Sequence, residues 1–386
     1  MERIKARCAA KVGIPAQVSF SPGTQKNFRM PSALVDEHGT QLHYKDSGVP
    51  CNPTAYTTIV LIHGAVFHGA IFRRLFPYAP RYGLRFVTVN RRDYPGSTPF
   101  SSEELGMLWG QNKNVQTALL RTLSLQIATF VDWFVKSEEI PPSSISTTGQ
   151  KTGGIAVLGW SAGNVFVLSM LAHAHTFPSG IVKTIEEYCR AFIFYDPPQF
   201  ICELPYPPPG AYHPMWDPSI PQEKMLPTLY SWMSGYFAHP SPSSRTIAGL
   251  SHVLNTSKTS TIDRMSSDEL ESVSSFSALQ TSDQLILKMA PGVHSGNLRQ
   301  ALVGGFASDA ARVAWPNVEI KLVPCMESSW ETYTCRWEIE RLHEELQNQN
   351  VPTRSVTIHE FYGANHFAHW DIPQKAVEFL SGILQS

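Results

Sequence analysis

A serine between two glycines stands where a predicted strand gives way to a predicted helix. The run Gly159-Trp160-Ser161-Ala162-Gly163 ends the apolar stretch GIAVLG and precedes residues with helical spacing. A turn this tight needs small neighbours, and it exposes the serine hydroxyl at a helix start, where backbone N–H groups stabilise negative charge. The pattern predicts that Ser161 is a nucleophile and that the N–H of Ala162 is one donor to an oxyanion.

A serine hydroxyl is a weak nucleophile and needs a base close by. The segment YGANHFAHWD follows the last predicted strand, and its Gly363 and Asn365 indicate a loop. The next residue, His366, is the predicted base, because a loop in this place can reach over the edge of the sheet. His369 is the alternative, but it lies nearer to the final helix.

The second oxyanion donor is expected in the loop after the strand that ends LIHG. The N–H of Ala65 is preferred and that of Val66 is the alternative. Gly64 lets the backbone approach the nucleophile closely. The neighbouring His63 is predicted to be structural, with its ring packed beneath the loop.

The elements that must position these residues alternate along the chain. Short apolar runs rich in β-branched residues predict strands at 58–64, 84–90, 154–159, 190–196 and 318–324, and a run with looser alternation predicts another at 354–361. Helical patterns lie at 116–136, 162–175, 331–347 and 374–385. This alternation predicts an α/β fold with a doubly wound, mostly parallel sheet, in which residues 39–48 form an antiparallel strand at the edge.

The alternation is interrupted by a segment of different composition. The sequence therefore predicts a core at 33–198 and 301–386, preceded by an N-terminal extension at 1–32. Residues 199–300 are predicted to form an inserted helical cap, hinged near Pro207, Pro208 and Pro209. An apolar stripe from Met225 to Phe237 either packs within this cap or roofs a substrate pocket. The Ser/Thr-rich residues 256–275 are predicted to be mobile.

Composition restricts the partners. The chain has 386 residues, 16% charged residues and a formal net charge of −1, which argues against nucleic acid or an anionic membrane as the main partner. Without a run of about 18 apolar residues, no membrane span is expected. Six cysteines without C-x-x-C spacing indicate reduced thiols and a cytoplasmic location. Metal-ligand patterns are absent, and the prediction is that the protein uses no metal and no cofactor.

From about residue 33 onward the chain resembles the α/β-hydrolase superfamily. The motifs that carry the resemblance are LHYKDSG, VLIHGAVFHGA, VTVNRRDYPGST, LGWSAGN, FIFYDPP and GANHFAHWD. The resemblance implies an eight-stranded, mostly parallel sheet with helices on both faces. NRRDYPGSTP and GANHFAHWD look most like fungal members, many of which serve specialised metabolism.

The third member of a catalytic triad is where the chain departs from this family. Its members usually place an aspartate in the loop after the seventh strand, and the matching residue here is Ser328 in VPCMESSWET. Two carboxylates are candidates to orient His366. Asp196, at the end of FIFYD, is preferred because the sheet fixes its direction; Glu327 is the alternative, and Glu331 ranks third because it should open the next helix.

The expected activity is that of a serine hydrolase cleaving an ester or lactone of a small to medium hydrophobic molecule. Acyl transfer, a cyclase or lyase reaction and non-catalytic binding of a small ligand are the alternatives on the same fold. Epoxide hydrolase and haloalkane dehalogenase activities are disfavoured, since in this family both need a carboxylate where Ser161 stands. The sequence leaves the substrate and the oligomeric state open.

Overall fold

The computed structural model describes residues 31–51, 56–145, 151–303 and 314–385. The predicted N-terminal extension therefore lies outside the described residues, apart from its last two positions.

An eight-stranded sheet forms the centre of the protein. Its strands are β1 (Ser32–Leu34), β2 (Gln41–Asp46), β3 (Thr57–Ile62), β4 (Leu84–Val89), β5 (Ile155–Trp160), β6 (Cys189–Tyr195), β7 (Glu319–Val323) and β8 (Val356–Ile358). Their spatial order is β1-β2-β4-β3-β5-β6-β7-β8. β2 runs antiparallel to both its neighbours, and the other pairs are parallel. The predicted α/β fold is confirmed; β1 is additional, and its three residues are too few to show a periodic pattern.

Side chains alternate between the two faces of the sheet and create two apolar cores. In β3, Val60 and Ile62 join the first core, whereas Ile59 and Leu61 join the second. The helix Lys113–Ser137 packs in the first core. The second core is covered by residues Gly69–Tyr82, a 3₁₀ helix, together with the C-terminal helix Pro373–Gln385. Helices thus cover both faces of the sheet.

The four predicted helices are present with ends shifted by a few residues. The α-helices are Ser102–Trp109, Lys113–Ser137, Asn164–His173, Ser179–Tyr188, Gln222–Met233, Thr261–Arg264, Ser267–Glu271, Phe276–Ala278, Gln284–Leu287, His294–Leu302, Trp330–Asn348, Ala368–Asp371 and Pro373–Gln385. A short two-stranded ribbon joins Ser144–Ile145 to Lys151–Thr152.

The helix Lys113–Ser137 is long and apolar enough to cross a membrane by length and composition alone. Its most apolar window has a mean hydropathy of 1.3, and 61% of that window is buried inside the protein. A buried core helix of a globular protein has the same properties, so this helix is weak evidence for a span.

The segment predicted as a cap contacts loops that follow strands on two sides of the sheet. The Ser275 N–H donates to the Val66 carbonyl at 2.7 Å, in the loop after β3. The Tyr236 hydroxyl donates to Asp371 at 2.6 Å, beyond the loop after β8. The Ser/Thr-rich segment that we predict to be mobile is folded into the helices Thr261–Arg264 and Ser267–Glu271, because polar residues supply caps as readily as loops.

The predicted cap extends too far toward the C-terminus. The helix His294–Leu302 packs against Asn164–His173 and not over the site. Leu298, 1% exposed, and its neighbours Ala301 and Leu302 belong to the first core of the sheet. The amphipathic pattern of such a helix does not say which layer covers it, and the prediction therefore assigned it to the wrong unit.

Replacing Leu298 by alanine tests this assignment. We expect the free energy of unfolding to fall by about 2 to 5 kcal/mol, since a cavity opens in the main core. Leu226→Ala is the matched control, because Leu226 lies on a cap helix and is 47% exposed. It should change the free energy by less than about 0.5 kcal/mol in urea unfolding. If both variants lower the free energy of unfolding by the same small amount, the helix His294–Leu302 does not pack in the core.

Candidate active site

The turn after β5 holds Ser161 in a strained backbone conformation. Its φ is +52°, in the left-handed region that residues with a side chain rarely adopt. A Cβ on Gly159 would lie 2.9 Å from Asn164 Cα, and one on Gly163 would lie 2.3 Å from the Ile62 carbonyl oxygen. Only glycine fits at either place, so the packing of strand against helix explains the two glycines around Ser161.

A buried aspartate orients His366. Oδ2 of Asp196 lies 2.5 Å from Nδ1 of His366, and the aspartate is fully buried at the end of β6. Asp196 also accepts hydrogen bonds from the Cys325 N–H at 2.8 Å and the Ser328 hydroxyl at 2.7 Å. Because a carboxylate accepts at Nδ1, that nitrogen carries the proton and Nε2 is left as an acceptor.

The carbonyl oxygen of His366 is anchored separately. It accepts a hydrogen bond of 2.8 Å from the indole N–H of Trp160, the residue before Ser161. The nucleophile turn and the histidine loop are therefore tied together directly.

The other candidates for acid and base lie elsewhere. Glu327 turns away from His366, with its carboxylate 2.5 Å from the Lys258 amine. His369 is 1% exposed and packs against Trp160 and Phe72. Burial lowers its pKa well below the usual value, so the ring stays neutral. Of the alternatives left open by the sequence, the structure brings Asp196 and His366 together and leaves these two residues apart.

The loop after β3 approaches the serine as its glycine suggests. A Cβ on Gly64 would lie 2.8 Å from Ser161 Cβ, so only glycine allows this approach. The N–H of Val66 donates to Asp283 at 3.1 Å and is occupied. Ala65 in this loop and Ala162 in the turn are left as the candidate oxyanion donors.

His63 and Arg91 hold this loop from below. The N–H of Arg91 donates to His63 Nε2 at 3.0 Å, so the proton sits on Nδ1, which donates to the Gly64 carbonyl at 2.8 Å. Burial lowers the pKa of His63 well below its usual value, and the ring is neutral. His63 lies buried under the loop, where the sequence predicted it.

An ion pair between cap and core braces the same loop. Arg91 lies 2.9 Å from Asp283, and their side chains are 4% and 3% exposed. The Arg91 guanidinium also donates to the Gly64 carbonyl at 2.8 Å, and the Tyr94 hydroxyl donates to Asp283. Burial opposes the charge on Arg91, but the Asp283 carboxylate outweighs it and raises the pKa of Arg91. Asp283 lies in a polar stretch without a motif, so nothing in the sequence indicates its role.

A small cavity opens at this end of the sheet. Its free volume is about 20 Å³, room for about one water molecule. Besides Ser161, Asp196 and His366, its lining consists of Pro198, Met233, Ser328, Ser329, Glu331 and Thr332. Ligand pockets are usually several hundred Å³. A substrate of ordinary size therefore enters only if the cap or its side chains move.

Three features of the structure belong to one known pattern. They are the strand order with its reversed second strand, the tight turn after the fifth strand and the carboxylate after the sixth. The chain has the α/β-hydrolase fold. The resemblance noted in the sequence is thereby confirmed for the fold. No protein-family model and no curated protein matches the sequence.

Solved structures with this fold are similar at low identity. A laboratory-evolved variant of a potato epoxide hydrolase is 12% identical with a TM-score of 0.49, covering 92% of this chain and 98% of its own. A proline iminopeptidase from Mycobacterium smegmatis is 11% identical with a TM-score of 0.48 and coverages of 92% and 97%. An esterase from Exiguobacterium antarcticum is 11% identical with a TM-score of 0.42 and coverages of 92% and 98%. Likenesses this distant transfer no activity to the chain.

Asp283→Asn tests the brace. The substitution keeps the shape of the side chain but leaves the buried Arg91 charge without its partner, so the free energy of unfolding should fall by about 3 to 5 kcal/mol. Asp263→Asn is the control, an exposed cap aspartate that accepts a hydrogen bond from the Ser231 hydroxyl. Its effect in urea unfolding should stay below about 0.5 kcal/mol. Equal effects of the two substitutions would show that the pair carries no net interaction.

Proposed function

We propose that the protein is a serine hydrolase that cleaves an ester or lactone of a small molecule. The observation that carries the proposal is the contact of 2.5 Å between Asp196 and His366 in a cavity that Ser161 also lines. A nucleophile, a base and a buried acid that fixes the base are the parts that acyl transfer through an acyl-enzyme needs.

Two steps follow from this arrangement. Ser161 Oγ attacks the acyl carbonyl while His366 Nε2 accepts its proton; His366 then gives that proton to the departing alcohol oxygen, and an acyl-enzyme remains. In the second step His366 takes a proton from water, the water oxygen attacks the same carbonyl, and Ser161 leaves with the proton. Asp196 stabilises the imidazolium formed in each step.

Negative charge on the carbonyl oxygen would be stabilised by the N–H groups of Ala162 and Ala65. Ala162 follows the nucleophile in the turn, and Ala65 follows the glycine that contacts Ser161. Fixed donors of this kind contribute about 3 to 4 kcal/mol each to lowering the barrier.

The proposal includes a cap that acts as a lid and a location in the cytoplasm. The small cavity supports the lid, since the cap must move before a substrate binds.

The cytoplasmic location is supported by four buried cysteines that remain thiols. They include Cys202 and Cys335, whose sulfur atoms lie 3.6 Å apart without a bond. Among the described residues no group of His, Cys, Asp and Glu side chains is arranged to hold a metal. That the enzyme needs no cofactor stays a prediction.

The triad is tested by labelling and turnover. A fluorophosphonate probe should label the protein at Ser161, and Ser161→Ala should abolish both labelling and ester hydrolysis. Asp196→Asn should lower kcat by about 10⁴, because the histidine loses its orientation and the correct tautomer. The measurement is steady-state hydrolysis of nitrophenyl esters beside mass spectrometry of the labelled protein.

Glu327→Gln is the matched control for Asp196→Asn. Glu327 lies in the loop after β7, but its carboxylate pairs with Lys258. Its substitution should leave kcat within about twofold, as is usual for a surface pair. Loss of activity on changing Glu327 and not Asp196 would reverse the assignment of the acid. A folded Ser161→Ala variant with more than a tenth of the activity would overturn the proposal.

Met233 tests the lid, because it is the apolar cap residue that lines the catalytic cavity. Met233→Ala should enlarge the cavity and raise kcat/KM for a long acyl chain relative to acetate. Met225→Ala is the control, since Met225 lies on the same helix but does not line the cavity. A chain-length profile that is unchanged in both variants would contradict a role of the cap in selecting substrate size.

A further inference from the structure

One carboxylate in the catalytic cavity has no part in the proposed mechanism. Glu331 is the second residue of the helix Trp330–Asn348, and its side chain is 13% exposed. It lines the same small cavity as Ser161 and His366. By its place in the sequence Glu331 is only the third candidate for the triad acid, and Asp196 is the carboxylate that contacts His366.

A chain of hydrogen bonds ends at Glu331 and fixes its role. The Met215 N–H donates to His213 Nδ1 at 3.2 Å, so the ring proton sits on Nε2. Nε2 lies 2.8 Å from the Tyr206 hydroxyl and donates to it, and Tyr206 in turn donates to Glu331. Every hydrogen in this series of bonds points toward Oε1 of Glu331, and that oxygen is therefore an acceptor.

This series of hydrogen bonds brings no positive charge to Glu331. Burial lowers the pKa of His213 to about 4, so its ring is neutral at physiological pH. In the part of the chain that the structure describes, His213, at 3.8 Å, is the one basic side chain within 4.0 Å of the Glu331 carboxylate. Burial also raises the pKa of Glu331; the hydrogen bond from Tyr206 and the electrostatic influence of His366 offset part of that rise, and Asp196 adds to it. Buried carboxylates are rarely left without a cation.

The surroundings of Glu331 are polar as well. Ser328, Ser329 and Thr332 line the cavity beside it, and Pro198 and Met233 are its apolar members. A lining of this kind is suited to a molecule that carries its own polar, positively charged group close to the scissile bond.

We propose that Glu331 is a specificity-determining residue that binds a protonated amine of the substrate, so that the preferred substrates are amino-acyl esters or lactones. This inference rests on the proposed hydrolysis at Ser161. The ammonium group would supply the counter-charge that the carboxylate lacks, and its remaining hydrogens can be accepted by the hydroxyl oxygens of Ser329 and Thr332. Tyr206 holds the carboxylate in place for this contact.

Matched ester pairs test the proposal, because an ammonium and a methyl group have nearly the same size. The nitrophenyl esters of alanine, β-alanine and γ-aminobutyric acid are compared with those of isobutyric, butyric and valeric acid. In the wild-type enzyme, kcat/KM for at least one amino ester should exceed that of its neutral partner about tenfold, which corresponds to about 1.4 kcal/mol. Glu331→Gln should bring that ratio to about one.

Two controls separate the possible failures. Glu327→Gln removes a carboxylate that lies outside the cavity, in the loop before the helix Trp330–Asn348. This variant should keep the wild-type ratio of the two kcat/KM values. Glu331→Asp should restore part of the preference. If the probe labels Ser161 and the neutral esters are hydrolysed without any preference for amines, the inference about Glu331 is wrong and the hydrolase proposal stands. If neither labelling nor hydrolysis occurs, the proposed function itself has failed.

Discussion

The carboxylate of Asp196 is the interaction on which the arrangement of the site depends. It is fully buried at the end of β6 and accepts hydrogen bonds from the loops after β7 and β8. A buried charge is tolerated only if donors surround it, and each such bond contributes about 1.5 to 3 kcal/mol. The folding of both loops is thus driven in part by the need to satisfy this one group, and His366 is placed as a result.

Ser328 shows which residue type the loop after β7 needs beside Asp196. Its hydroxyl donates to the Asp196 carboxylate, which comes from the neighbouring strand. A second carboxylate there would repel Asp196 at close range, since two like charges cannot share a buried site without one taking up a proton. A small donor is the residue type that this position needs once Asp196 carries the charge.

The sequence predicts those parts of the fold in which burial and periodicity agree. The inner parallel strands follow from their apolar runs, because parallel strands covered on both faces are apolar throughout. The 3₁₀ helix Gly69–Tyr82 escapes prediction because it contains Pro77 and Pro80, which are typical of loops. Local patterns also fail for contacts across the chain. Arg91 and Asp283 are 192 positions apart, and nothing near either residue indicates its partner.

For a related reason, the sequence does not decide which carboxylate is the acid of the candidate site. Asp196 and Glu327 both follow strand ends, so spacing alone cannot rank them. The folded backbone distinguishes them. Asp196 has a φ of +47° and its side chain contacts His366, whereas the Glu327 carboxylate pairs with Lys258. Glu331 was undervalued because a carboxylate in the first turn of a helix is so common as a helix-stabilising residue that it signals nothing by itself.

The buried pair of Arg91 and Asp283 also determines how the cavity can open. Separating these groups while both stay buried leaves two uncompensated charges, a situation that costs about 3 to 5 kcal/mol when one partner of such a pair is removed. Neither Arg91 nor Asp283 lines the catalytic cavity, whereas Met233 and Glu331 do. A movement that widens the cavity at Met233 and Glu331 can therefore leave the buried pair intact.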